Sequence, residues 1–199
     1  MSLPKLFETT RRPLVPSGAL SAPGGGPPGV SSGTTLSFVM QHQEQDNWCW
    51  AAVTVSAFDF YRHGSGSLQC DVVNAELGRG DCCVNGGSSD CNRVGPLDGP
   101  LNRNHNLKQL KAGATQFQPL NAEIENGRPL GCRIAWDGGG AHFVIIHGYA
   151  SQGVGAAATN TIEVADPWYG SSSQNFSLFP RAYQGGGTWT HSYFTKQAP

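Results

Sequence analysis

Charge is scarce in this sequence. Asp, Glu, Lys and Arg together make up 14% of 199 residues, and the net charge is −1. No run of one sign occurs, so neither a nucleic acid nor an acidic membrane surface is expected as a partner. No stretch reaches the ~18–20 consecutive apolar residues that a membrane helix requires. The opening segment MSLPKLFETTRRPLVPSGAL has no apolar h-region of a secretory signal. If the protein is exported, another route is expected.

Glycine and proline are abundant, at 27 and 13 residues. They predict a loop-rich fold with short elements between turns. Residues 1–35 contain SAPGGGPPGVSSG, a Pro/Gly/Ser-rich stretch that cannot bury a core. They are read as a flexible arm or linker, and residues 36–199 as one folded domain. A helix is expected after Asp46 or Asn47 as cap, with Ala51, Val55 and Phe58 on one apolar stripe and Gly64 as its stop. Residues 65–100 read as an irregular Cys-rich insertion with some helix around Val72 to Leu77. LKQLKAG (107–113) reads as a short helix or turn, and Leu120 to Glu125 as a helix stopped at Asn126-Gly127. Segments 132–136, 142–150, 161–165 and 187–195 are β-rich and separated by polar or Gly-rich turns. Helix first and antiparallel sheet second make an α+β domain.

Cys49 falls in the first turn of the expected helix. There the free N–H groups and the helix dipole favour negative charge, so a thiol is more readily held as thiolate. That makes Cys49 a candidate nucleophile, walled by Trp48 and Trp50. His142 follows a Gly-rich turn at the mouth of a strand, where it can face a helix N-terminus as a base. His147, five residues on, points to the other face of the sheet. Asp166 ends a strand before Pro167 and can present a carboxylate to the second ring nitrogen. The Cys49 backbone N–H and a side-chain amide from Gln41, Gln43 or Gln45 are candidate oxyanion donors. Trp168, Tyr169 and Trp189 are candidates for lining a cleft, and Gly138 to Gly140 for either a mobile loop or a plain hairpin turn.

Six cysteines are present. The spacing C-x11-C-C-x7-C of Cys70, Cys82, Cys83 and Cys91 disfavours zinc. Disulfides, with three possible pairings, come first, with free thiols and a less favoured zinc site as the alternatives. Cys132, in an apolar strand, reads as core.

The run Gln43-x5-Cys49-Trp50-Ala51-Ala52, with GGGAHFVIIHGY and IEVADPW, resembles the blocks of papain-like cysteine peptidases. WCWAA, Cys82-Cys83…Cys91-Asn92 and Gly127-Arg128-Pro129 are similar to a compact bacterial branch. That branch holds avirulence-effector and toxin proteases and is related to the bacteriocin-leader peptidases. The resemblance spans roughly residues 37–170 and implies a papain-like fold with the helix of Cys49 packed on the sheet. It implies Cys49 as nucleophile, His142 as base and then acid, Asp166 as orienter and Gln43 in the oxyanion hole. Papain itself carries Asn in place of the Asp. The same resemblance implies peptide-bond hydrolysis through an acyl-enzyme, with a protein substrate and no cofactor or metal. The implied setting is that of an exported bacterial effector or toxin, with an immunity protein or host activator as further partner. Papain-fold deamidases and acyl transferases share this triad and stand as the alternative reaction; a non-enzymatic Cys-rich binding module is a second. Relatives that cut after Gly pairs raise self-processing near Gly24 to Gly26.

Overall fold

The computed structural model describes residues 31–64, 66–153 and 159–199. Its elements run β1 (Ser31–Thr35), α1 (Cys49–Arg62), α2 (Gln69–Leu77), α3 (Asp98–Arg103) and β2 (Leu107–Ala112), then α4 (Phe117–Glu125). β3 (Leu130–Trp136), β4 (Ala141–Gln152), β5 (Thr159–Asp166), β6 (Gly170–Asn175) and β7 (Gly187–Thr195) complete the chain. The strands form one antiparallel sheet in the order β2-β7-β3-β4-β5-β6. β1 pairs with the far half of β4 beyond β3. This is the expected α+β, papain-like architecture.

Alternation along the central strands assigns one side chain in two to each face. Phe143, Ile145, Ala165 and Tyr193 pack under α1, α2 and α3. Val144, Ile146, Val164 and Ile134 pack on the other face with α4, Phe179 and Tyr183. Helix α1 therefore lies between the sheet and the Cys-rich segment. Nine consecutive residues, Cys49 to Ala57, are buried, so burial is nearly all round rather than on one stripe.

Several local expectations are corrected. The helix cap is Trp48, without a side-chain bond, and not Asp46 or Asn47. The left-handed residue at the helix end is His63 (φ 51°), one place before Gly64. LKQLKAG is the edge strand β2, because its backbone pairs with β7. Leu107 and Leu110 at a three-residue spacing mimic a helical period, and tertiary pairing overrides it. Ser31–Thr35, assigned to the arm, is a strand hydrogen-bonded to β4, so order begins at least five residues earlier than expected. The remainder of the arm, including Gly24 to Gly26, lies outside the described residues.

The four clustered cysteines form two disulfides, Cys70–Cys83 and Cys82–Cys91, while Cys49 and Cys132 are free thiols. Cys132 is core on β3, and burial pushes its thiol pKa up.

Candidate active site

Three chain segments converge at one end of the sheet. The first is the N-terminus of α1, where Cys49 is the first helical residue and is 8% exposed. Among the described residues no acceptor takes the Cys49 backbone N–H, so that donor remains available for an incoming oxygen. The second is the mouth of β4. Trp136 N–H bonds Gly140 O and Gly139 N–H bonds Trp136 O. Gly139 and Gly140 take the positive φ values that this hairpin turn needs. The turn is closed by these bonds, and it delivers His142 as the second residue of β4, paired with Ile134. The third is the end of β5. Ala165 pairs with Ile145, which places Asp166 diagonally across from His142 on the same face.

The His142 ring bonds through Nε2 to Asp166 Oδ1 at 2.9 Å, and it lines one cleft with Cys49. With Nε2 committed to the carboxylate, Nδ1 is the nitrogen left for the thiol. Burial by itself would lower the pKa of His142. The hydrogen bonds and charges of Asp166 and Cys49 outweigh it and push the value up to about 9. Burial would raise Asp166. The bond and charge of His142, with the N–H groups of Tyr169 and Trp168, hold it below the ordinary carboxyl value instead. The Trp136 indole stacks on the imidazole with centroids 5.8 Å apart and planes at 23°, and so keeps water off the pair.

Of the three glutamines, Gln43 is the one beside the ring. Its backbone N–H bonds Pro167 O at 2.9 Å, which ties it to the Asp166 turn. It lines a hollow of about 250 Å³ with His142, Trp136, Trp168 and Tyr169. Its Nε2 donates to Gln45 O and Asp46 O, both at 2.9 Å, while Oε1 is buried without a partner. Gln41 is turned toward Asp59 and Ser67, and Gln45 lies against Gly86 and Gly87.

A larger cleft of about 830 Å³ is lined by both Cys49 and His142. One wall is Trp50 and the Val94-Gly95-Pro96 segment; the other is the sheet surface at Arg133, Phe143 and His191. The two hollows share Asp46, Ala141 and His142, and the thiol opens into the larger one.

Residues 30–184, more than three quarters of the sequence, match the family described as "Papain-like cysteine protease AvrRpt2". The chain belongs to that family. It is a cysteine-type peptidase with a papain-like fold. Among solved structures, a double glycine motif protease from an AMS/PCAT transporter, determined in complex with the leader peptide, is similar at TM-score 0.43. The identity is 16%, over 81% of this chain and 94% of that one. No curated protein matches the sequence.

In this peptidase, Trp48 and Trp50 brace the helix start from within the core. Their Nε1 atoms donate to Cys91 O and Arg93 O, and Asn47 bonds Asn92 through both backbone and side chain. Trp168 and Tyr169 are exposed at the smaller hollow, whereas Trp189 is buried in the second core. His147 is on the opposite face from His142, as the odd spacing predicts, with Nδ1 at 3.1 Å from Leu36 O and its ring against Phe38. Sequence reasoning missed Tyr183, whose hydroxyl donates to Asp166 Oδ2 at 2.8 Å. It sits in an irregular segment with no motif, and nothing local signals it.

Proposed function

We propose that this peptidase is an endopeptidase whose triad is Cys49, His142 and Asp166, acting on a protein substrate as an exported effector or toxin. The observation that carries the reading is His142 bonded to Asp166 and sharing one cleft with a thiol at a helix N-terminus. Cys49 gives its proton to His142 Nδ1 and attacks the scissile carbonyl carbon. The new oxyanion is met by the Cys49 N–H and by Gln43 Nε2, which exchanges one of its two carbonyl partners for it. The imidazolium then protonates the leaving amine, and the C–N bond breaks to leave a thioester. His142 next takes a proton from water, which hydrolyses the thioester and frees the thiol. Asp166 holds the ring with Nδ1 toward the thiol throughout.

Two disulfides in so small a domain suit a protein that meets an oxidising compartment, which supports export. The effector or toxin setting follows the family resemblance, and an antibacterial toxin would need a cognate immunity protein.

The test is labelling with an epoxide inhibitor of thiol proteases, followed by mass spectrometry, for wild type, Cys49→Ala and His142→Ala. A single adduct on Cys49 that vanishes in both variants is expected. Labelling indifferent to His142 would sink the triad. With a target protein in hand, cut fragments mark hydrolysis, whereas a changed glutamine in an uncut chain would mark a deamidase.

A further inference from the structure

We propose that Tyr183 is a positioning residue of the triad: its hydroxyl, bonded to Asp166 Oδ2, sets how much of the carboxylate's charge reaches His142. The inference rests on the peptidase reading of Cys49, His142 and Asp166.

Asp166 is 2% exposed, and its two oxygens are used unequally. Oδ1 accepts from His142 Nε2 at 2.9 Å, from Trp168 N–H at 2.7 Å and from Tyr169 N–H at 2.9 Å. Among the described residues, Oδ2 is bonded by Tyr183 alone, at 2.8 Å. The backbone N–H groups therefore fix Oδ1 whatever Tyr183 does, and the hydroxyl governs the other half of the carboxylate.

Tyr183 is itself held rigidly. It is buried, stacks on Trp136 at 6.3 Å and packs on Phe179 at 5.4 Å. Its N–H bonds Pro180 O and its carbonyl accepts from Gly186 N–H. One indole, that of Trp136, thus stacks on both the imidazole and the phenol. Burial first, then the charge and hydrogen bond of Asp166, push the phenol pKa well above its ordinary range. The hydroxyl is accordingly a donor at every working pH.

A carboxylate that accepts a hydrogen bond on one oxygen offers less charge through the other. Without the hydroxyl, Oδ2 is buried and unpaired, and the carboxylate's charge falls more fully on the imidazolium. His142 then titrates at higher pH and is a weaker acid toward the leaving amine. The titratable groups around the ring are Cys49 from α1, Asp166 from β5, Tyr169 and Tyr183 from the later turns, and Asp46 across the cleft. Arg133 and His191 lie further along the same cleft. None of these but Tyr183 changes in the variant.

The experiment is a 15N NMR titration of His142 in the full chain carrying Cys49→Ala, with and without Tyr183→Phe. It is run beside the pH profile of Cys49 alkylation in the chains that keep the thiol. The expected result is a higher His142 midpoint in the Phe variant and an alkaline limb of alkylation shifted the same way. On any cleaved peptide, kcat should fall roughly tenfold with KM little changed, the scale of one charge-assisted hydrogen bond. A purely structural tyrosine would lower thermal stability without moving the midpoint, and an unchanged or lower midpoint overturns the proposal. If the Phe variant does not fold, 3-fluorotyrosine at position 183 keeps the shape and donates more strongly. It should lower the midpoint, and no shift there overturns the proposal equally. Failure of wild-type Cys49 to react with the epoxide would instead overturn the peptidase reading, while the NMR midpoint still judges Tyr183.

Discussion

The Trp48 indole N–H donates to the Cys91 carbonyl at 2.8 Å, across 43 positions of sequence. Cys91 is held in turn by its disulfide to Cys82. The residue preceding Cys49 is therefore anchored to a cross-linked loop, and the geometry of the thiol depends on that loop.

Replacing both Cys82 and Cys91 by Ser should cost about 2–4 kcal/mol of stability, the usual worth of a native disulfide. Because residues 91–93 also hold Asn47 and Trp50, the rate of Cys49 alkylation should fall with it. Thermal unfolding and labelling rate, each measured with and without a non-thiol reductant, check both. Unchanged labelling in the double variant would show that the helix start holds itself.

Gln43→Ala should lower kcat by roughly 10²–10³-fold with little change in KM, the scale of losing one oxyanion donor. If the amide only braces the Gln45–Asp46 turn, steady-state kinetics will show a modest loss, and the effect will fall on unfolding temperature instead.

Gly95 faces Trp50 so closely that an added Cβ would lie 2.5 Å from the indole Cε2. Gly95→Ala must push the Val94–Pro96 wall or the indole aside. A loss of about 1–3 kcal/mol is expected, as for overpacking elsewhere. Weaker peptide binding in the larger cleft should accompany it, read as a raised KM.

The His142–Asp166 pair makes stability depend on pH at both ends. His142 has a folded pKa raised to about 9. Its contribution is complete below its unfolded value and is lost as pH rises through about 9. Asp166 has a lowered pKa, so its contribution is complete above the ordinary carboxyl range and is lost as pH falls through the lowered value. The stability difference between wild type and His142→Ala should shrink as pH passes about 9, and denaturant titrations at several pH values measure it. Cys49 alkylation should lose its imidazole-dependent part over the same range.

The residues at element ends were the legible part of the site. Cys49, His142 and Asp166 each stand where a turn meets a regular element, and turn chemistry marks such places. Strand alternation then put His147 on the opposite face. Tyr183 was hidden because its partner lies 17 positions away and the segment between them has no period. β6, with the sequence GSSSQN, carries no apolar alternation, and its pairing with β5 alone makes it a strand. β2 was misread because an exposed edge strand has little burial pattern to separate two periodicities. The cysteine pairing needed α2 in place, since it brings Cys70 to Cys83 and leaves Cys82 for Cys91.

The pairing of β1 with β4 has a kinetic consequence. Ser31 stands opposite Gln152, ten residues along β4 from His142, or ~33 Å at the rise of a strand. Gly24 to Gly26 precede Ser31 by five to seven residues, a fully extended reach of at most ~18–25 Å. With β1 docked, that reach falls short of the strand distance back to His142. A cut there is expected to be made by one copy on another, with a half-life that shortens as the enzyme is concentrated. A half-life unchanged by dilution would mean that β1 peels away from the sheet first.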